Sequence, residues 1–329
     1  MTAVWSWEAR PCLVTGGSGF GGSHLCSELL QRGAKVYVLD RVLPRNSYLA
    51  LQGLDRRVEF IAGDVRDLEL LRLSIERYEL DTIFHLAAQP LAPVSQVLPF
   101  ETLSINALGT FTVLEAMRTT RCAKRLVFAS TGGHYGATTT DLPVAEDAVP
   151  CEATSLYGPS KSAADVVVRS YADVYGLGTA VCRFMNTYGP GDTNFSRIVP
   201  RALKNLLQNQ PYAFGDRDDG STRLDFLYIR DMTDAYLALA EHMDVAKGQA
   251  FNFGRGQPVS TRELTRLLSR VFDGSEREPE FLGKPRATPV VKYLDISKAQ
   301  RVLGWQPRTS LEQGLHETLE WYRRYLPEL

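Results

Sequence analysis

The sequence predicts an α/β fold, a doubly wound parallel sheet with a smaller C-terminal lobe, on three observations. Short apolar runs alternate with longer helical patterns over the first 185 residues or so, the signature of parallel βαβ units. The first of these runs ends in a glycine cluster that opens directly into a helical pattern. After NTYGPGD at 186–192 the alternation weakens, which marks off the lobe.

The elements follow in order. CLVTG at 12–16, KVYVLD at 35–40, VEFIAGD at 58–64, TIFHLAA at 82–88, RLVFAST at 125–131 and TAVCRFMN at 179–186 have the length and apolar content of buried strands. Helices fit between them at 20–32, 67–77, 105–118 (INALGTFTVLEAMR) and about 157–175. In the lobe, helices near 197–208, 231–242 and 260–272 surround a polar loop, GDRDDGSTR at 215–223, and the terminal LEQGLHETLEWYRRYL is an amphipathic helix. The expected division is 1–185 for a dinucleotide-binding domain and 186–329 mainly for the lobe, with segments returning to the first domain.

Composition narrows the function. The 329 residues suffice for one large or two smaller domains with a real core. With 37 basic and 38 acidic residues there is no charge footprint for nucleic acid or a membrane surface. The five cysteines, Cys12, Cys26, Cys122, Cys151 and Cys182, are scattered without CxxC spacing and read as reduced thiols, neither a disulfide framework nor a metal site. No segment has the length of a signal peptide or a membrane span. A soluble cytoplasmic protein is expected.

VTGGSGFGGSHL carries Gly16, Gly19 and Gly22 at three-residue spacing, with Phe20 among them, after a strand and before a helix. That Rossmann-type turn brings backbone amides at a helix N-terminus to a pyrophosphate, where side chains would block the approach. Asp40 ends the next strand, placed to accept ribose hydroxyls and repel a 2′-phosphate, which favours NAD. Arg41 beside it pulls the other way, since a guanidinium there suits the phosphate.

Tyr157-Gly-Pro-Ser-Lys161 puts a phenol and an amine four residues apart, on one face of a helix. An ammonium and the positive nicotinamide favour phenolate, so Tyr157 is able to take the proton of a substrate alcohol as hydride leaves carbon. Thr131, at the end of the preceding strand, is placed to bond the same oxygen.

With these residues the chain resembles the extended short-chain dehydrogenase/reductases, in particular the NAD-dependent epimerase/dehydratase branch acting on nucleotide sugars. The resemblance runs from about residue 10 to 325. Beyond the glycine turn and the Tyr–Lys pair it rests on GDVRD at 63–67, HLAAQ at 85–89, NALGT at 106–110, RFMNTYGPGD at 183–192, LDFLYIRDM at 224–232 and YLDISKAQRVLGWQPRTSLEQGL at 293–315. It implies that Asp64 and Val65 border the adenine, that Ala87 and Ala88 line the cofactor, and that Asn186 contacts the substrate diphosphate or sugar. It also implies that the C-terminal lobe holds the nucleotide, and that a homodimer forms through helices near 96–120 and 157–176.

Departures from the family pattern bear on the reaction. Many 4,6-dehydratases of the branch read Thr-Asp-Glu where this chain has Thr131-Gly132-Gly133, and elimination of water needs an acid and a base that glycines lack. The pair resembles the small-residue loop of epimerases, with room for a sugar to turn. His134 stands where an apolar residue is common; it is either a substitute acid or base or a packed imidazole. His85 belongs to the HLAA match and reads as structural. The arginine usually found immediately before Asp-Phe, which binds the diphosphate, is replaced by Leu224, with Arg223 one position earlier, and Arg286 is similarly displaced. Both remain candidate phosphate ligands. The expected activity is a nucleotide-sugar epimerase working by transient oxidation with NAD. Its alternatives are another oxidation-initiated isomerase, mutase or dehydratase using His134, and a silent dinucleotide-binding sensor or scaffold.

Overall fold

The structure, a computed structural model, describes residues 5–136, 141–149, 153, 155–214, 218–285, 288 and 290–329. Seven parallel strands form the main sheet: β1 (Pro11–Thr15), β2 (Lys35–Asp40), β3 (Glu59–Ala62), β4 (Thr82–His85), β5 (Arg125–Thr131), β6 (Gly178–Phe184) and β7 (Ala250–Phe253). Their order is β7-β6-β5-β4-β1-β2-β3. The longer helices are α1 (Phe20–Gln31), α2 (Leu68–Arg77), α3 (Gly109–Thr120), α4 (Tyr157–Tyr175), α5 (Ile198–Leu207), α6 (Ile229–Glu241), α7 (Thr261–Asp273) and α8 (Leu311–Tyr325).

Alternation along each strand builds two cores. Val14, Phe84, Val127 and Cys182 pack on one face with Leu25 and Leu29 of α1 and Leu237 of α6. Leu13, Ile83, Leu126 and Phe128 pack on the other with Leu71 and Ile75 of α2, Val113 and Met117 of α3, and Ala164 and Val168 of α4. A sheet buried on both faces accounts for strands that read as continuous apolar runs. The chain leaves β1 toward β2 on one side, and β4 returns on the other, which opens a crevice at the carboxyl ends of the strands.

Four details depart from the expected elements. β7 had no counterpart in the sequence reading, because its four residues between Gly248 and Gly254 are too short for periodicity to register. The run 82–88 stops as a strand at His85, where the backbone turns toward the crevice and Leu86 N bonds Thr15 O at 3.1 Å. The run 179–186 breaks at Met185, and Asn186–Tyr188 pairs instead with Phe226–Tyr228. The helix expected at 105–118 opens with a π turn at Ser104–Leu108. That turn carries Asn106, whose amide donates to Gln89 O at 3.1 Å and Ser160 Oγ at 2.9 Å and accepts from Gln89 N at 2.7 Å.

Arg223–Leu224 lies between Val259–Ser260 and Val291–Lys292, and Ala213–Phe214 pairs with Glu280–Phe281. Leu224, Phe214 and Phe281 of these short strands line the crevice. No described helix is long and apolar enough to cross a membrane, and no described cluster of His, Cys, Asp or Glu is arranged to hold a metal ion.

Candidate active site

A cavity of about 1270 Å³ runs along the carboxyl ends of the strands. That exceeds the roughly 300–1,000 Å³ of a pocket for one drug-sized ligand. Gly16, Gly19, Phe20, Gly22, Asp40, Arg41, Asp64, Val65, Ala87 and Ala88 all line it, so the cofactor-side residues read from the sequence converge on one wall. Gly16 has φ +69°, and a Cβ there would come within 2.7 Å of Ala87 N; a Cβ on Gly22 would run into Gly16 O and approach Gly17 Cα to 2.6 Å. Side chains are therefore excluded at this turn by its packing against α1 and the β4 exit, which leaves the N-terminus of α1 open to an anion.

At the end of β2, Asp40 accepts hydrogen bonds from Ser18 Oγ and from Arg41 N, the latter at 2.8 Å. These bonds fix the carboxylate at the cavity rim, as ribose recognition requires. Arg66 grips Asp64 through Nε at 2.9 Å and Nη2 at 2.8 Å, and this pairing holds the Asp64 carboxyl below its ordinary range.

Thr131, Tyr157 and Lys161 line the same cavity. The Thr131 hydroxyl, which accepts from Gly133 N at 3.0 Å, acts on the phenol of Tyr157, and Tyr157 N is anchored by Ser95 Oγ at 3.1 Å. Burial raises the phenol's pKa, against the positive field of Arg197 and the Thr131 bond. Lys161 is 2% exposed, its Nζ has no hydrogen-bond partner, and it lies 4.2 Å from the centre of the Phe128 ring. Burial pulls its pKa down to about 7, partly offset by the charge of Asp165. A buried ammonium without a partner is costly in a molecule with no other use for it. Facing a cavity, it is a donor kept for a ligand.

The loop after β5 departs from the expectation. Gly132, Gly133 and His134 are not among the residues lining the cavity. A Cβ on Gly132 would meet Met185 Sδ at 2.7 Å, and one on Gly158 would approach Gly133 O at 2.6 Å. Gly132 thus lets the loop pack on Met185, and Gly158 lets the first turn of α4 come up against Gly133 O, so close packing replaces the anticipated space for a turning sugar. His134 is 8% exposed, with Nδ1 2.9 Å from Ser162 Oγ and its ring edge-on to Tyr135. Ser162 Oγ also donates to Gly158 O at 3.1 Å; since a hydroxyl has one proton, His134 Nδ1 is the donor in the first bond. The imidazole is turned into the protein, its pKa lowered chiefly by burial and next by Arg183, and the packed alternative describes it. His85 likewise sits in a buried chain, Thr15 Oγ1 at 2.7 Å and Thr110 Oγ1 at 3.0 Å.

On the nucleotide side, Asn186 lines the cavity and donates to Asp225 O at 3.2 Å. Arg223 does not line it: the side chain is exposed and Nη2 reaches Pro258 O at 3.3 Å, while its neighbour Leu224 faces the cavity. The residue shift reverses the side chain because Arg223–Leu224 is a paired strand. Arg286 lies outside the described residues. Arg197 and Arg201 line the cavity instead, from the N-terminal end of α5. Their four-residue spacing in SRIVPRALKNLL was the signal available for them.

Comparison with known proteins places this geometry. The model of the NAD dependent epimerase/dehydratase family matches residues 12–254. The chain is 33% identical to the UDP-glucose 4-epimerase of Mycolicibacterium smegmatis, over 94% of this chain and 98% of that one. The crystal structure of the Thermotoga maritima UDP-glucose 4-epimerase with UDP-glucose superposes with a TM-score of 0.86 at 29% identity, covering 96% and 100% of the two chains. The dTDP-glucose 4,6-dehydratase of Streptomyces venezuelae, crystallised with NAD, gives 0.84 at 28%, covering 97% and 98%. The chain belongs to the NAD-dependent epimerase/dehydratase family.

NAD is the cofactor of this family member, and the cavity fits it. The unpartnered Lys161 Nζ, the glycine turn that no Cβ can enter and the fixed Asp40 carboxylate are the three features a dinucleotide would use, for its nicotinamide ribose, pyrophosphate and adenine ribose respectively.

Proposed function

We propose that this protein is an NAD-dependent nucleotide-sugar epimerase acting through a transient keto-sugar. Residues 1–185 carry the cofactor and residues 186–329 hold most of the nucleotide sugar. NAD, held by the glycine turn, Asp40 and Lys161, would supply the acceptor and donor of hydride at the sugar carbon. Tyr157 removes the hydroxyl proton and later restores it, with Thr131 directing the phenol. Protonated Lys161, one helical turn along, favours the phenolate and holds the cofactor ribose. Asn186 orients the substrate.

The observation that supports epimerisation over elimination is the loop after β5. Elimination needs an acid to protonate the departing hydroxyl and a base for the adjacent proton. Gly132 and Gly133 have no side chain to offer, and His134 is bonded to Ser162 away from the cavity. The same turn of His134 speaks against the mutase or dehydratase alternative, which rested on this residue. Against a silent sensor stands the intact set of Thr131, Tyr157 and Lys161 lining one cavity.

A homodimer belongs to this reading. Val97, Phe100 and Leu108 are 77%, 82% and 52% exposed, and Val166 and Val174 on α4 are 50% and 70% exposed. They gather apolar surface on the two helical segments expected to meet a second copy. The buried thiols of Cys12, Cys26 and Cys182 suit a reducing, cytoplasmic setting.

The test is incubation of the NAD-loaded protein with UDP-, GDP-, CDP- and dTDP-sugars and identification of products by NMR. A 4-epimer is expected; a dehydrated or ring-rearranged product would overturn the reading. In the same assay Tyr157→Phe should keep NAD and lose about a hundred- to ten-thousandfold in turnover.

A further inference from the structure

The substrate's diphosphate carries negative charge that must be matched where it leaves bulk water for the cavity. Among the described residues that line it, the cations are Arg41, Lys161, Arg197 and Arg201. Arg41 follows β2 at the adenosine end, and Lys161 stands beside the reacting phenol. Arg223, the sequence's candidate, faces solvent, and the apolar Leu224 takes the cavity side of its strand.

We propose that Arg197 and Arg201, one turn apart at the start of α5, form the clamp for the diphosphate of the nucleotide sugar. The proposal rests on the nucleotide-sugar reading of the site and names the residues that bind the substrate's charged part. Arg197 is the N-cap of α5 and Arg201 stands in its first turn, and both line the cavity wall. Arg197 meets Asp192 through Nη1 at 3.1 Å, a single-nitrogen contact from a fork with five donors, and its side chain is 42% exposed. Asp192 is 3% exposed and lines the same cavity, so it holds the guanidinium at the wall in readiness for an anion. Arg201 donates through Nε to Phe195 O at 3.3 Å, which leaves its terminal nitrogens as donors for a ligand at the cavity wall.

The position also suits the chemistry. The charge of Arg197 also reaches the Tyr157 phenol and opposes the rise that burial causes. Phe214 and Phe281, stacked at 5.2 Å, line the cavity along with Arg201 and provide an apolar wall beyond the charged pair.

The experiment measures binding of UDP, CDP, GDP and dTDP to the NAD-loaded protein by calorimetry, in the wild type and in Arg201→Gln, Arg223→Gln and the pair Arg197→Gln/Asp192→Asn. The paired change avoids leaving Asp192 buried without its partner, and melting temperature and NAD content confirm folding. Arg201→Gln and the paired variant should each weaken the best-bound nucleoside diphosphate at least tenfold, Arg201→Lys should restore part of it, and Arg223→Gln should stay within twofold. A large loss in Arg223→Gln with none in Arg201→Gln or the paired variant would overturn the clamp and leave the epimerase reading standing. Failure of the wild type to bind any nucleoside diphosphate would overturn both.

Discussion

Lys161 and Asp165 stand one turn apart on α4, both almost wholly buried, and the protein treats them in opposite ways. Asp165 is saturated: Arg183 donates through Nε at 2.9 Å and Nη2 at 3.0 Å, Ser130 Oγ donates at 2.9 Å and Arg169 Nε at 3.0 Å. Burial would lift its pKa, but the Arg183 hydrogen bonds and charge hold it below the ordinary carboxylate range. Lys161 has an aromatic face and no hydrogen-bond partner at all. A charge that only supports the fold is paired within the fold; a charge left unpaired at a cavity wall is reserved for what enters the cavity.

The comparison breaks most visibly on the Asp165 side. Arg183 also donates Nη1 to Tyr135 OH at 2.8 Å and to Glu146 O at 3.0 Å, and Tyr135 OH donates to Asn252 Oδ1 at 2.7 Å, so the network ties β5, α4, β6 and β7 together. Arg183→Met should cost roughly 3–5 kcal/mol in chemical denaturation, because Asp165 would remain buried without its main partner. Since Asp165 has its folded pKa depressed, its contribution is full above the unfolded carboxylate range and is lost as pH falls through the lower folded value. Arg183→Met should therefore lose its disadvantage progressively in acid. A cost below about 1 kcal/mol at neutral pH would remove the distinction between the two charges.

Lys161→Met sharpens the same comparison from the other side. Turnover should collapse, yet the cofactor-free protein should gain about 1–3 kcal/mol, since an unsatisfied buried group disappears. The sign of the pH dependence is specific. With a folded pKa near 7 and an ordinary unfolded value, wild type bears the full penalty below about pH 7 and sheds it as pH rises toward the unfolded lysine range. The stabilisation by Lys161→Met should be largest at pH 6 and shrink by pH 9; a gain that grows with pH would contradict an orphaned ammonium.

How much of this was legible in the sequence depends on whether a residue's meaning is local. Gly16, Asp40, Tyr157 and Lys161 were readable because a turn, a strand end and a helical repeat fix their positions from nearby sequence alone. Arg223 was misplaced because a one-residue shift in a strand decides which face a side chain takes, and only the pairing of Arg223–Leu224 with Val259–Ser260 and Val291–Lys292 settles that face. Asp165 and Arg183 lay on predicted elements, but nothing in sequence brings residue 165 to residue 183, or Tyr135 to Asn252. β7 was missed for the same reason: four residues gain their identity from the exposed edge of β6.

The smallest expected effect concerns His134, which the sequence left suspended between a catalytic and a packed role. Its ring is confined by Tyr135 edge-on and by the bond to Ser162, on the side of α4 that also carries Asp165. Phenylalanine keeps the ring and loses one hydrogen bond, a change worth about 0.5–1.5 kcal/mol. Ser162 keeps its own bond to Gly158 O, so the first turn of α4 and Tyr157 with it should stay in place. Activity of His134→Phe should then fall by less than about tenfold, with the same product as wild type. The hundredfold or greater loss expected on removing a general acid or base, accompanied by near-normal melting and NAD content, would return His134 to the chemistry. It would also show that the loop after β5 moves once substrate binds, because the imidazole reaches no reacting atom from where Ser162 holds it.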